Sequence, residues 1–127
     1  MKVLKDLYYS KEHEWVRMEG DMAYIGISDY AQSELGDIVY VELPEVDEDY
    51  EVEESFGVVE SVKAVSDLYM PISGTIVEVN EDLEDQPELI NEDAYENWII
   101  KVKVADEGEL EDLLSGKEYQ AFCAEEE

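Results

Sequence analysis

The sequence predicts a mostly β protein, a single domain spanning residues 1–127 with short helices at its periphery. Three observations lead there. Runs of β-branched and aromatic residues recur along the chain and alternate with polar ones. Gly, Pro and Asn punctuate the joins between those runs. The length is near the commonest single-domain size, and 45% of residues are apolar, enough for one core without metal or disulfide staples. No shift in composition marks a linker.

The elements follow in order. "MAYIGIS" (22–28) and "DIVYVEL" (37–43) read as strands. Between them "SDYAQSELG" reads as a short helix, with Asp29 as N-cap, Gln32 three residues on and Gly36 as the stop. Residues 55–62, 66–74 and 74–80 continue the strand pattern, broken at Pro71, Gly74 and Asn80. In residues 98–104, Trp98, Ile100, Val102 and Val104 share one face while Lys101 and Lys103 point to solvent, the signature of a half-buried strand. Residues 46–55 and 80–97 read as acidic loops. Asp106 and Glu109 make a capping-box pattern ahead of a Leu110, Leu113, Leu114 stripe that Gly116 ends. Tyr119, Phe122 and Cys123 suggest a second short helix, so a helical segment is expected over about residues 106–124. Cys123 reads as a small core residue, and the last three glutamates as frayed.

Charge excludes more than it assigns. With 36 Asp and Glu against 8 Lys and Arg, the formal charge is −28, which repels nucleic acid and anionic membrane surfaces and leaves basic proteins as the natural partners. A lone cysteine and the lack of a secretion signal or a long apolar run point to a reducing, cytoplasmic setting in a bacterium or archaeon, or to a mature mitochondrial form. A monomer is expected.

Enzyme signatures are scarce. His13 is the only histidine, so a His-based metal site is unavailable, and no metal is expected. No phosphate-binding loop or dinucleotide fingerprint occurs. Carboxylates are so abundant that any pair proposed as acid and base carries little weight. A non-catalytic protein is the stronger reading.

One residue stands out. Lys63 is the only Lys or Arg between Arg17 and Lys101. It lies in "SVKAVSD", which joins two apolar runs and reads as the tip of a hairpin over about residues 55–80. Glu60 and Asp67 beside it favour the ammonium form, which disfavours a Schiff-base role. Acylation would instead turn it into a long neutral arm on a rigid platform.

The stretch "GVVESVKAVSDLYMPISGTIVEVN" resembles the lipoate-attachment segment of the glycine cleavage system H-proteins. The resemblance runs through the whole chain, in "HEW", in "AQSELGDIVYVELPEV", in "PELIN" and in the terminal "EYQAFCAEEE". It implies a barrel-sandwich hybrid of the lipoyl/biotinyl type, with Lys63 as the lipoylated lysine and lipoate as the covalent cofactor. It further implies a carrier that takes the aminomethyl remainder of glycine from a pyridoxal-phosphate-dependent decarboxylase to a tetrahydrofolate-dependent aminomethyltransferase. Dihydrolipoamide dehydrogenase then reoxidises the arm, and lipoate-attaching enzymes load it. Glu14 and Asp67 match positions that hold the cationic amine in the cleft. A relay passing lipoyl groups to other enzymes, or an unmodified acidic interaction module, remain the alternatives.

Some positions depart from the family pattern. Tyr30 stands where a histidine is usual, and Glu12 where a small polar residue is common. Residues 46–55 lack the family's glycines, while Ala94 and Asn97 replace a Pro and a Gly. Asn97 is expected to take the left-handed turn conformation. His13 and Trp15 read as packing residues.

Overall fold

The computed structural model describes residues 2–126, with the side chain of Glu126 left aside. The expected fraying of the last glutamates therefore falls, for Glu127, outside the described residues.

Among the described residues, nine strands form two antiparallel sheets. They are β1 (Tyr8–Tyr9), β2 (Glu14–Glu19), β3 (Met22–Ile27), β4 (Ile38–Glu42), β5 (Asp49–Tyr50), β6 (Ser55–Ser61), β7 (Val65–Tyr69), β8 (Gly74–Val79) and β9 (Ile100–Val104). The larger sheet runs β1-β2-β3-β9-β8-β5 and the smaller β4-β6-β7. The core closes between them. Val16, Ile25, Ile76, Ile100 and Val102 from the larger sheet join Val41, Val59 and Leu68 from the smaller, all nearly inaccessible to solvent. Alternation decides this: in β3, Ala23, Ile25 and Ile27 face inward while Tyr24 sits outside, beneath Arg17 and Lys101.

Among the described residues, four α-helices lie at the edges: α1 (Asp29–Leu35), α2 (Asp82–Asp85), α3 (Leu89–Glu92) and α4 (Gly116–Glu126). A 3-10 helix spans Glu107–Asp112. A second apolar cluster, Leu7, Tyr9, Trp15, Tyr95, Tyr119 and Cys123, lies under α4. Trp15 lies directly over Gly26 of the neighbouring strand, where a Cβ would come within 2.7 Å of the indole. Cys123 is a buried core residue as expected.

Several local expectations are corrected. The N-cap of α1 is Ser28, not Asp29. Ser28 has extended φ/ψ and its hydroxyl accepts from the Ala31 amide, whereas Asp29 is already in the first turn and accepts from the Lys2 amide and Gln32 Nε2. Gly116 begins a helix rather than ending one, because the preceding 3-10 helix ends at Asp112 and Leu114 pairs with Tyr9 as an isolated β-bridge. Asp106 does cap that turn through the Gly108 amide, but Glu109 does not complete a capping box. Its carboxylate instead accepts from the amide and hydroxyl of Ser73. The acidic stretch 80–97 holds α2 and α3, each one turn long, pinned by buried Leu83 and Ile90. Asn97 is not left-handed. Its amide donates to the carbonyls of Leu89 and Asp93, a side-chain lock in place of a backbone one. Among the described residues other than glycine, the positions with positive φ are His13, Asp47 and Glu53.

Candidate functional site: the lysine hairpin and the carboxylate beneath it

The hairpin β6–β7 turns over four residues, closed by the Ser61 amide donating to the Ala64 carbonyl at 2.8 Å. The Ser61 hydroxyl also accepts from the amides of Lys63 and Ala64, so one side chain holds both tip donors. The Val62 amide donates to the Asp37 carbonyl and ties the tip to the chain entering β4. Lys63 is exposed at this tip, where the sequence placed it.

Its stem does not project freely. It lies over Gly36, where a Cβ would approach Lys63 Cε to 2.9 Å. Gly36 terminates α1 with φ 78° and ψ −156°, a conformation almost confined to glycine. Its carbonyl is held by Asn91 Nδ2 at 2.9 Å, while Asn91 Oδ1 accepts from the Ile38 amide. Asn91 thus fixes both sides of the turn on which the lysine rests. Sequence reasoning missed Gly36 and Asn91 in this role; "PELIN" stood in the sequence, but the contact joins residues 55 positions apart.

Glu14 is a different kind of residue from the surface carboxylates. Its register opposite Ile27 puts it on the core side of β2, and it is only 2% exposed. Oε1 accepts from the Ser10 hydroxyl at 2.7 Å, and Oε2 accepts from the Tyr69 amide at a long 3.4 Å. Burial pushes this carboxyl up to about 8; the Ser10 and Tyr69 donors oppose the rise, and the charge of Glu12 adds to it. Glu14 therefore reaches across from the larger sheet to the last residue of β7. It lies in a cleft of about 250 Å³ rimmed by Glu12, Glu53, Glu109 and Asp112, with Lys11 the one cation on the wall. Such a cleft selects for positive charge.

Asp67 faces outward on β7, exposed, and Tyr69 two residues on shares its face. The Tyr69 hydroxyl donates to Asp67 Oδ2 at 3.4 Å, and the Asp67 charge is the main reason this phenol is held above its usual range. The structure thus brings Glu14 and Asp67 to the two ends of Tyr69, a residue the sequence did not single out. It does not bring Lys63 to them. At strand rise, the tip lies roughly 13 Å from Asp67 along the hairpin, and neither Lys63 nor Asp67 lines the cleft around Glu14.

His13 and Trp15 pack as expected. His13 Nδ1 is 2.7 Å from the Tyr119 hydroxyl, and the Tyr30 ring lies tilted by 30° against the imidazole with centroids 4.8 Å apart. Trp15 donates to the Ala94 carbonyl at 3.2 Å.

Two sheets closed on one core, with an exposed lysine on a locked two-strand turn, define a carrier domain of the lipoyl type. A family profile of the glycine cleavage H-protein matches residues 7–126. Proteins described as glycine cleavage system H protein from Alkaliphilus oremlandii and Staphylococcus carnosus are each 60% identical over 126 residues, covering 99% and 98% of this chain and 99% and 100% of theirs. The crystal structure of a glycine cleavage system H protein from Mycobacterium marinum matches with a TM-score of 0.88 at 40% identity, over 96% of this chain and 99% of that one. The chain belongs to the glycine cleavage H-protein family. No helix among the described residues is long and apolar enough to cross a membrane.

Proposed function

We propose that Lys63 bears a lipoyl group in amide linkage and that the chain carries the aminomethyl remainder of glycine between the enzymes of the cleavage system. The observation that carries this is an exposed lysine on the Ser61-locked tip, within the stretch whose sequence resembles the family's lipoate-attachment segment. The partners are the pyridoxal-phosphate-dependent glycine decarboxylase, the aminomethyltransferase, dihydrolipoamide dehydrogenase and the enzymes that attach lipoate. The chain itself is a monomeric, non-catalytic carrier of the bacterial cytoplasm.

The residues present fit such a group. When bound it supplies a disulfide that accepts the aminomethyl unit, chemistry no side chain offers. The chain's own contribution is mechanical and electrostatic. Ser61 and Asn91 make the tip and its Gly36 bed rigid, so the tether raises the local concentration of its end at a docked partner. Glu14 and Asp67 offer two carboxylates to a cationic amine brought back along β7. A cation at Glu14 favours the carboxylate over the acid, so stowing the amine draws the proton off a group that burial otherwise keeps protonated. The long 3.4 Å contacts of Tyr69 leave room for that rearrangement.

Intact-mass analysis after incubation with lipoate, ATP and a lipoate ligase tests the reading. One adduct is expected on Lys63, lost in Lys63→Arg. No adduct, or an adduct on Lys101 or Lys103, overturns it.

A further inference from the structure

In a chain so dominated by carboxylates, large apolar side chains left in solvent are informative. The two most exposed among the described residues are Val65 at 68% and Val62 at 67%, and they flank Lys63. Val39 at 53% and Tyr40 at 49% come next. All four belong to one place. Tyr40 is the cross-strand partner of Glu60, and Glu60 of Val65, so the three form one row across the outer face of the smaller sheet. A register shift between Ile38 and Tyr40 inserts Val39 as an extra residue, which leaves two consecutive apolar side chains standing outside the sheet. Val62 is tied to this edge through the Asp37 carbonyl.

The next row on the same face is Glu42, Val58 and Asp67. Apolar Tyr40, Val58 and Val65 therefore alternate with Glu42, Glu60 and Asp67. Folding gives no reason to expose these valines, since the core lies on the opposite face of the same strands. An apolar centre ringed by like charge has the anatomy of a docking surface, with a partner that brings apolar pockets bordered by Lys or Arg.

We propose that Val39, Tyr40, Val62 and Val65 form the anchor by which the enzyme that acylates Lys63 grips this chain. Geometry selects that enzyme among the partners. A protein that works at the far end of the arm can stand away from the hairpin, because the acyl chain spans the gap. The acylating enzyme must bring its activated donor to Nζ itself, and to do so it covers the residues on either side of Lys63. The step forms an amide between Nζ and the lipoyl carboxyl carbon of a lipoyl adenylate; Nζ gives up two of its three protons to solvent and keeps one as the amide N–H, while the bond from the carboxyl carbon to the adenylate phosphate oxygen breaks and AMP leaves. Apolar anchors close to the reacting amine raise affinity for the apo-protein without entering the chemistry. The inference rests on the reading of Lys63 as the acylated residue.

The test is steady-state lipoylation by a lipoate ligase with ATP and lipoate, read by intact mass over a range of apo-protein concentrations. Tyr40→Ser and Val65→Ser alter exposed positions and leave the core untouched. Each is expected to raise KM for the apo-protein by about five- to ten-fold with kcat within about two-fold, the scale of losing one anchor of an interface. Val46→Ser, at a position about as open to solvent as Tyr40, at 47%, but outside this patch, is expected to keep the wild-type KM. Wild-type acylation with unchanged KM in Tyr40→Ser and Val65→Ser overturns the surface alone, as does a loss confined to kcat or an equal effect of Val46→Ser. A wild-type chain that takes no adduct on Lys63 overturns the carrier reading and the surface with it.

Discussion

Glu14 and Tyr69 join the two sheets at the candidate site: the Tyr69 backbone amide donates to Glu14 Oε2 across 55 residues of sequence. The bond is long at 3.4 Å, and it leaves a nearly inaccessible carboxyl with one good donor, Ser10, and a weak one. That imbalance makes the group a proton holder in the unloaded chain.

The consequence for stability has a definite sign. The folded carboxyl titrates at about 8 against an ordinary value of 4.5, so between these the unfolded chain is ionised while the folded chain keeps its proton. Stability from this group is complete below about pH 4.5 and is lost as pH rises through about 8. Glu14→Gln keeps the shape and cannot ionise. Urea unfolding at pH 5 and pH 8.5 should show the wild type losing stability relative to the variant at the higher pH. A difference between the two proteins that stays constant with pH would show that Glu14 does not hold its proton.

The bed under Lys63 makes a second prediction. The three atoms nearest a Cβ at Gly36 all belong to Lys63, with Cε the closest at 2.9 Å, and the backbone there has φ 78°. Gly36→Ala should destabilise by about 1–3 kcal/mol from the backbone alone. It should also displace the lysine stem, and only the displacement depends on Lys63. A double-mutant cycle with Lys63→Ala separates the two: a smaller cost of Gly36→Ala in the Lys63→Ala background measures the contact. Equal costs in both backgrounds would mean that the stem yields freely.

Residues 46–55 hold no glycine, yet two of them take positive φ. Glu53 sits at φ 73° and Asp47 at φ 76°, both in the region that side chains resist. Asp tolerates it better than Glu. The left-handed region costs a residue such as Glu about 1–2 kcal/mol, while glycine gives back about 0.5–1 kcal/mol in unfolded-state entropy. Glu53→Gly should therefore raise the unfolding free energy by about 0.5–1 kcal/mol in chemical denaturation, and Asp47→Gly by less. A destabilised Glu53→Gly would show that the exposed Glu53 side chain makes contacts outweighing its strain.

Legibility from sequence followed the range of the interactions. The lysine tip could be read locally, because Ser61, Lys63 and Ala64 form their own turn. Strand β2 could not, because Glu14, Trp15 and Val16 are buried in succession: the core covers one face and the α4 cluster the other, which erases the alternation a half-exposed strand shows. The α1 cap was misplaced by one residue because Ser28 and Asp29 are both competent caps, and only the backbone decides between them. Tyr69 and Asn91 act through contacts more than 50 residues away in sequence, beyond any local pattern.

Net charge makes the last prediction. A charge of −28 on 127 residues repels itself in the folded state more than in the expanded one, so screening should stabilise the fold. The screening length falls from about 10 Å at 0.1 M salt to about 3 Å at 1 M, and most repulsion between surface carboxylates is removed early in that range. The melting temperature should rise by several degrees with sodium chloride, most of it below about 0.3 M, with about 3–6 °C corresponding to 1 kcal/mol for a chain of this size. The same screening should weaken docking to a basic partner, so lipoylation KM should rise over the salt range in which the carrier itself grows more stable. Calorimetry and the lipoylation assay on the same salt series check both. A melting temperature and a KM that rise together are the expected pair; a KM insensitive to salt would remove electrostatics from the docking, and a melting temperature insensitive to salt would show that repulsion among the carboxylates does not limit the stability of the fold.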